Sequence, residues 1–165
     1  MKKKLPPDEY YQTLARVPTS AAAIIRNTIG EFMIVSHPYR NDGWHLPGGM
    51  TDTHETPRQA VVREVEEELG IAIKDPKLFC VEFATSPPYD RIHFVFNAGM
   101  LTAAQIADIK PDPDEISGYR FVSMGDMLTL LHPLLSQRFK NSFEGFLKGT
   151  CIYLENGLSL AAAEK

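Results

Sequence analysis

Two apolar, β-branched runs, Ala21 to Ile25 and Phe32 to Val35, flank the stretch Asn27-Thr28-Ile29-Gly30-Glu31. That pattern predicts a β-hairpin. His37 to Asp42 is rich in turn formers, and Pro47 with two glycines excludes a regular helix in Trp44-His45-Leu46-Pro47-Gly48-Gly49, so a loop with one aromatic anchor is expected. From Thr56 the period becomes helical. Thr56 suits the N-cap, Pro57 the first helical position, Gln59 the reciprocal capping-box position and Gly70 the stop. Leu78 to Ala84 and Ile92 to Ala98 read as strands, with Pro87-Pro88-Tyr89-Asp90 turning between them. Downstream, a short helix covers Thr102 to Ile109, a strand Tyr119 to Val122, and a helix capped by Ser123 reaches Leu131. Leu135, Phe139, Phe143 and Phe146 form the apolar stripe of a helix from about Pro133 to Gly149, and Cys151 to Leu154 is a candidate last strand.

Strands interleaved with helices over 165 residues predict one α/β domain, with 1–18 as a peripheral leader and 158–165 as a peripheral tail. Composition supports a packed core: 44% of residues are hydrophobic and 23% charged, average for globular chains. A formal net charge of -4 gives no basic footprint for a nucleic-acid backbone. Cys80 and Cys151 lack zinc-site spacing and do not suggest a disulfide framework. After Met1-Lys2-Lys3-Lys4 comes Leu5-Pro6-Pro7-Asp8-Glu9, where a signal peptide would need an apolar stretch. No apolar run approaches the roughly 20 residues of a membrane helix. The expectation is a cytoplasmic protein with no membrane partner and an open oligomeric state, a dimer included.

The charge has a location. Residues 48–71 hold six acids and two bases, and the remainder of the chain is balanced. At about 100° per residue, Val61, Val62, Val65 and Leu69 share one arc of the predicted helix, and Glu64, Glu67 and Glu68 another. Like charges at such spacings repel by roughly 0.2–0.5 kcal/mol per pair, and no Lys or Arg lies on that arc. Three carboxylates beside a glycine loop match the oxygen ligands of a hard divalent cation, Mg²⁺ first and Mn²⁺ second. Arg63 is expected to pair with Glu55 in the preceding loop rather than with Glu67.

Gly49, Glu55, Arg63, Glu64, Val65, Glu67, Glu68, Gly70 and Ile71 fit the pattern G-x5-E-x7-R-E-U-x-E-E-x-G-U, where U is aliphatic. Its seven fixed residues would coincide by chance on the order of 10⁻⁸ per starting position. The segment resembles the box of the Nudix hydrolase superfamily, and Glu55 to Glu64 is especially similar to its MutT-type members. His54, where a glycine is frequent, and Asp52, where Glu is commoner, depart from the pattern and bear on loop shape.

The resemblance implies an α/β/α sandwich with a mixed sheet. It implies Mg²⁺-dependent attack of water on a phosphorus of a nucleoside diphosphate linked to another moiety, so the partner is a small nucleotide. By the same resemblance Glu64, Glu67, Glu68 and the Gly49 carbonyl are metal ligands, Glu55 and Arg63 fix the loop on the helix, and Glu115 stands where relatives carry a further carboxylate ligand or base. Trp44, Tyr39 and Arg40 are candidate substrate contacts. His93 is read as a structural histidine within its strand, and Phe139 and Phe143 as core. Pro87-Pro88 and Tyr89 point to different substrate classes within the superfamily. Two alternatives stay open: a nucleotide-binding sensor without turnover, and a Nudix-fold isomerase of an isoprenyl diphosphate, disfavoured because no Cys lies near the box.

Overall fold

The computed structural model describes residues 5–85 and 88–159. Its elements are α1 (Pro7–Gln12), β1 (Thr19–Arg26), β2 (Phe32–Ser36), β3 (Gly48–Met50), α2 (Pro57–Leu69), β4 (Lys77–Ala84), β5 (Arg91–Met100), α3 (Ala103–Ala107), β6 (Gly118–Val122), α4 (Met124–Leu130), α5 (Pro133–Lys148), β7 (Ile152–Glu155) and β8 (Leu158–Ser159). The strands form one mixed sheet in the order β6-β2-β1-β5-β4-β7-β8, with β3 on β1. The β1–β5 and β4–β7 pairs are parallel and the others antiparallel. A near-continuous apolar run suits a strand covered on both faces, and β1 is one: Ala21, Ala23 and Ile25 pack toward α2, while Ile24 joins the core under α4 and α5. The architecture is the expected α/β/α sandwich.

Each long helix carries its predicted punctuation. Thr56 and Gln59 close a capping box on α2, and Gly70 ends it at φ 66°. The aromatic stripe of α5 packs on the sheet, with Phe139 edge-on to Phe32 at 5.5 Å and Phe146 edge-on to Phe79 at 5.4 Å between ring centres. The predicted turn at Pro87 lies partly outside the described residues. The leader contains the short helix α1, none of whose residues is buried. The first two tail residues form β8 against β7.

One prediction needs revision. The hairpin forms, but β1 and β2 are paired at Arg26 and Phe32 and then separate. The expected loop Trp44–Gly49 inserts between them. His45 bridges to Val35 of β2, the Ala23 N–H donates to the Pro47 carbonyl at 2.8 Å, and Gly48–Met50 pairs with Ala22–Ser20 of β1. Gly48 is required there: its φ is +134°, and a Cβ would lie 2.2 Å from the Ala21 carbonyl oxygen. The inserted strand separates β2 from β1, and a cleft lies beside it.

Candidate active site

The cleft, of about 620 Å³, is lined by residues from both faces of the sheet, including Gly48 and Gly49 of β3, Glu64 and Glu68 of α2, and Glu115. α2 lies across β3 so closely that a Cβ on Gly49 would fall 2.4–2.5 Å from the Glu64 carboxylate. Glu68, one turn further, is 2% exposed, and its Oε2 accepts from the Gly48 N–H at 2.9 Å. Among the described residues, its Oε1 has no hydrogen-bond partner. Helical spacing therefore separates the carboxylates from the valines correctly but misplaces their exposure, because β3 covers part of the acidic arc.

Burial dominates the electrostatics. It pushes Glu68 up to about 8, with the charges of Glu64, Glu115 and Glu67 adding to the rise and the Gly48 N–H opposing it. Glu64 is raised by burial as well, with Arg63 working against the rise. A carboxylate held near 8 in a cleft is the sort of perturbation that marks functional sites.

Arg63 is the organising cation. Its Nε and Nη2 donate to the two oxygens of Glu55 at 2.9 Å, and Nη2 also donates to the Met50 carbonyl at 3.0 Å. The predicted Glu55 partner is thus correct but incomplete, since Nη1 also donates to Glu64 at 3.0 Å and to Glu67 at 2.7 Å. The flexible guanidinium reaches across the arc that the spacing argument left without a cation. The Arg63 bond, with the Asp52 N–H, pulls Glu55 down to about 2. His54 sits in this loop at φ 67°, in the left-handed region that glycine occupies without strain. The Asp52–Glu55 loop thereby keeps its turn despite the departure from the pattern. With Glu64 and Glu67 tied to Arg63, no group of three His, Cys, Asp or Glu side chains among the described residues is arranged to hold a metal ion.

The candidates outside the box divide. Glu115 lines the cleft, its backbone carbonyl bonded to Nδ1 of buried His37 at 2.9 Å. Tyr39 and Arg40 also line it, Tyr39 being 69% exposed. Trp44 is not brought to the cleft wall; its ring lies under the Arg120 guanidinium at 3.9 Å and packs with the α5-side core. His45, fixed by Asp42 at 2.9 Å, and His37 are both shifted down by burial.

A second polar group was not anticipated from the sequence. Ser20, His93 and Glu82 lie abreast on β1, β5 and β4. Ser20 Oγ meets His93 Nδ1 at 2.6 Å, and Arg138 Nε of α5 bonds Glu82. An acid between Val81 and Phe83, in the apolar stretch Leu78 to Ala84, was the available signal.

Known proteins share parts of this sequence and its fold. The chain is 38% identical over 79 residues to the 8-oxo-dGTP diphosphatase of Haemophilus influenzae, covering 46% of this chain and 57% of that protein. It is 27% identical over 129 residues to the RNA pyrophosphohydrolase of a Nitratiruptor species, covering 72% and 83%. The chain spans about half the length of the first curated relatives it matches, 42% to 57%. Among solved structures it is similar to the MutT protein of Methanosarcina mazei Go1, with a TM-score of 0.65, 28% identity, and coverage of 83% and 98%. An Ap4A hydrolase of C. elegans shares the fold at a TM-score of 0.65 and 22% identity, covering 81% and 99%. Residues 16–144 match the NUDIX domain, a span that includes the cleft, β3 and the whole of α2, and the chain belongs to the NUDIX domain family.

Proposed function

We propose that the protein hydrolyses a pyrophosphate bond in a nucleoside diphosphate linked to another moiety. A divalent cation, Mg²⁺ before Mn²⁺, would be held by Glu64, Glu67, Glu68 and the Gly49 carbonyl. The observation that carries this reading is Glu68: a carboxylate 2% exposed, pushed up to about 8, and unpaired at Oε1 among the described residues, in a cleft shared with Glu64 and Glu115. The donor set fits a hard cation, since every group is an oxygen. Arg63 Nη1 already bridges Glu64 and Glu67, so the two carboxylates can share a positive partner. Glu64 and Glu67 would turn from Arg63 toward the ion when it is bound.

A bound divalent ion would screen the diphosphate and acidify an attacking water. The chain's own groups supply the rest. Arg63, clamped by Glu55 and the Met50 carbonyl, holds the 52–55 loop and β3 against α2, which keeps Gly49 against the Glu64 carboxylate. Glu115, which also lines the cleft, would serve as the base for that water, with His37 fixing its backbone. Arg40 and Tyr39, which line the cleft, would meet the phosphates as hydrogen-bond donors and stabilise the charge that develops on them. The relatives named as an 8-oxo-dGTP diphosphatase and an RNA pyrophosphohydrolase support a pyrophosphate bond as the common target.

The test is a panel of nucleoside triphosphates, oxidised nucleotides, ADP-ribose and dinucleoside polyphosphates, with Mg²⁺, with Mn²⁺ and with chelator, followed by product identification. Cleavage at a pyrophosphate bond that vanishes with chelator is expected. Ligand-induced stabilisation with no product from any substrate would replace this reading by the sensor alternative.

A further inference from the structure

The α5 end of the cleft carries polar groups that packing does not require. The Glu82 and Arg138 side chains are 5% and 9% exposed and form an ion pair, although an apolar pair of similar volume would be as stable or more so. Glu82 engages Nε. Among the described residues, the Arg138 Nη nitrogens have no hydrogen-bond partner, yet neither is sealed from solvent. Arg138 lines the cleft together with His93, Met50, Leu134 and Leu135. A nearly buried guanidinium, held at Nε and open along its Nη edge, is a preformed fork for two adjacent acceptors.

We propose that Arg138, positioned by Glu82, reads the base of the substrate and selects a 6-oxopurine of the guanine type over a 6-aminopurine. The inference rests on the nucleotide-hydrolase reading for its substrate class. Guanine offers O6 and N7 side by side, the pair that arginine bonds bidentately, whereas adenine sets an amino donor beside N7. Glu82 offsets the charge of Arg138 itself, so the fork favours a neutral acceptor edge, while a further phosphate has its natural partner in the exposed Arg91 that also lines the cleft. His93 adds no charge, since burial, with Arg138 and Arg91 nearby, pushes it down to about 3. Met50 and Leu134, 48% and 62% exposed on the cleft wall, supply apolar surface for the base faces.

Two measurements test it. The first is metal-free calorimetric binding of GMP, AMP and ribose 5-phosphate, which carry base and phosphate without a diphosphate. The second is kcat/KM for dGTP and dATP with Mg²⁺. Wild type is expected to favour the guanine ligand by about 5- to 150-fold, the span of one bidentate arginine–base pair. In Arg138→Lys, which preserves the charge facing Glu82 but not the fork, the ratio falls toward one, and the loss enters through KM for dGTP. The double variant Glu82→Gln with Arg138→Met, which leaves no charge unpaired, shows the same collapse. Equal binding of GMP and AMP, ribose 5-phosphate binding as tightly as GMP, or a preference kept in Arg138→Lys would overturn base reading while leaving the hydrolase intact. Absence of turnover with a retained GMP preference would instead overturn the hydrolase and preserve the base reader.

Discussion

Replacing Glu68 with Gln is expected to make the metal-free protein more stable at alkaline pH while abolishing turnover. The carboxyl moves from an ordinary 4.5 to about 8 on folding. Below pH 4.5 both states hold the proton and the shift has no effect. Between 4.5 and 8 the unfolded chain releases it and the native chain keeps it, so stability falls by about 1.4 kcal/mol per pH unit and levels off above 8. The full loss approaches about 5 kcal/mol. Glutamine removes the titration but keeps an acceptor for the Gly48 N–H, the one hydrogen bond the carboxylate makes among the described residues. The variant should therefore match wild type near pH 4.5 and melt higher at pH 8 by on the order of 10 °C, at about 2–4 °C per kcal/mol for this size. Buried histidines such as His93, depressed to about 3, bring a stability loss as pH falls below 6.5, but this is common to both proteins and cancels in the difference. Chemical denaturation of both proteins with chelator, from pH 5 to pH 8.5, reads the effect. A difference that stays flat with pH, or a variant less stable at pH 8, would refute the argument.

Four other substitutions probe the same frame. Gly49→Ala pushes a methyl group into the Glu64 carboxylate, a movable side-chain end; turnover is expected to drop at least about tenfold with the melting temperature nearly unchanged. Gly48→Ala meets backbone at φ +134° and is expected to destabilise by about 3 kcal/mol or more, measured by denaturant titration. Arg63→Ala releases Glu55, Glu64, Glu67 and the Met50 carbonyl together; a loss of about 2 kcal/mol in stability, with faster hydrogen exchange in the 50–55 loop, is expected. His54→Gly relieves the left-handed backbone at φ 67° and should raise stability by a few tenths to about 1 kcal/mol in the same titration.

The long elements and the carboxylate set were legible because their signals are local. Thr56, Pro57, Gln59 and Gly70 announce both ends of α2, and the Glu spacing brings the acidic residues to one side. What stayed hidden depends on packing between distant segments. The burial of Glu68 comes from β3, a three-residue strand whose glycines read only as a turn. The reach of Arg63 to Glu67 comes from a flexible side chain that angular bookkeeping treats as a point. The Ser20, His93, Glu82 and Arg138 row joins three strands and a helix, and only sheet order brings it together. Trp44 shows the converse: a lone aromatic beside a functional loop invites a stacking role, yet its ring packs beneath Arg120.

On the proposed reading, the glutamates of α2 hold a divalent cation that is needed for cleavage. Its most direct test is Mn²⁺ binding, followed by electron paramagnetic resonance, alongside turnover of a nucleoside triphosphate in the same samples of wild type, Glu64→Gln and Glu68→Gln. Wild type is expected to bind Mn²⁺ and turn over, and each variant to lose affinity and at least about a hundredfold in rate together. Full turnover in variants that no longer bind the ion, or in wild type stripped of metal, would contradict the account.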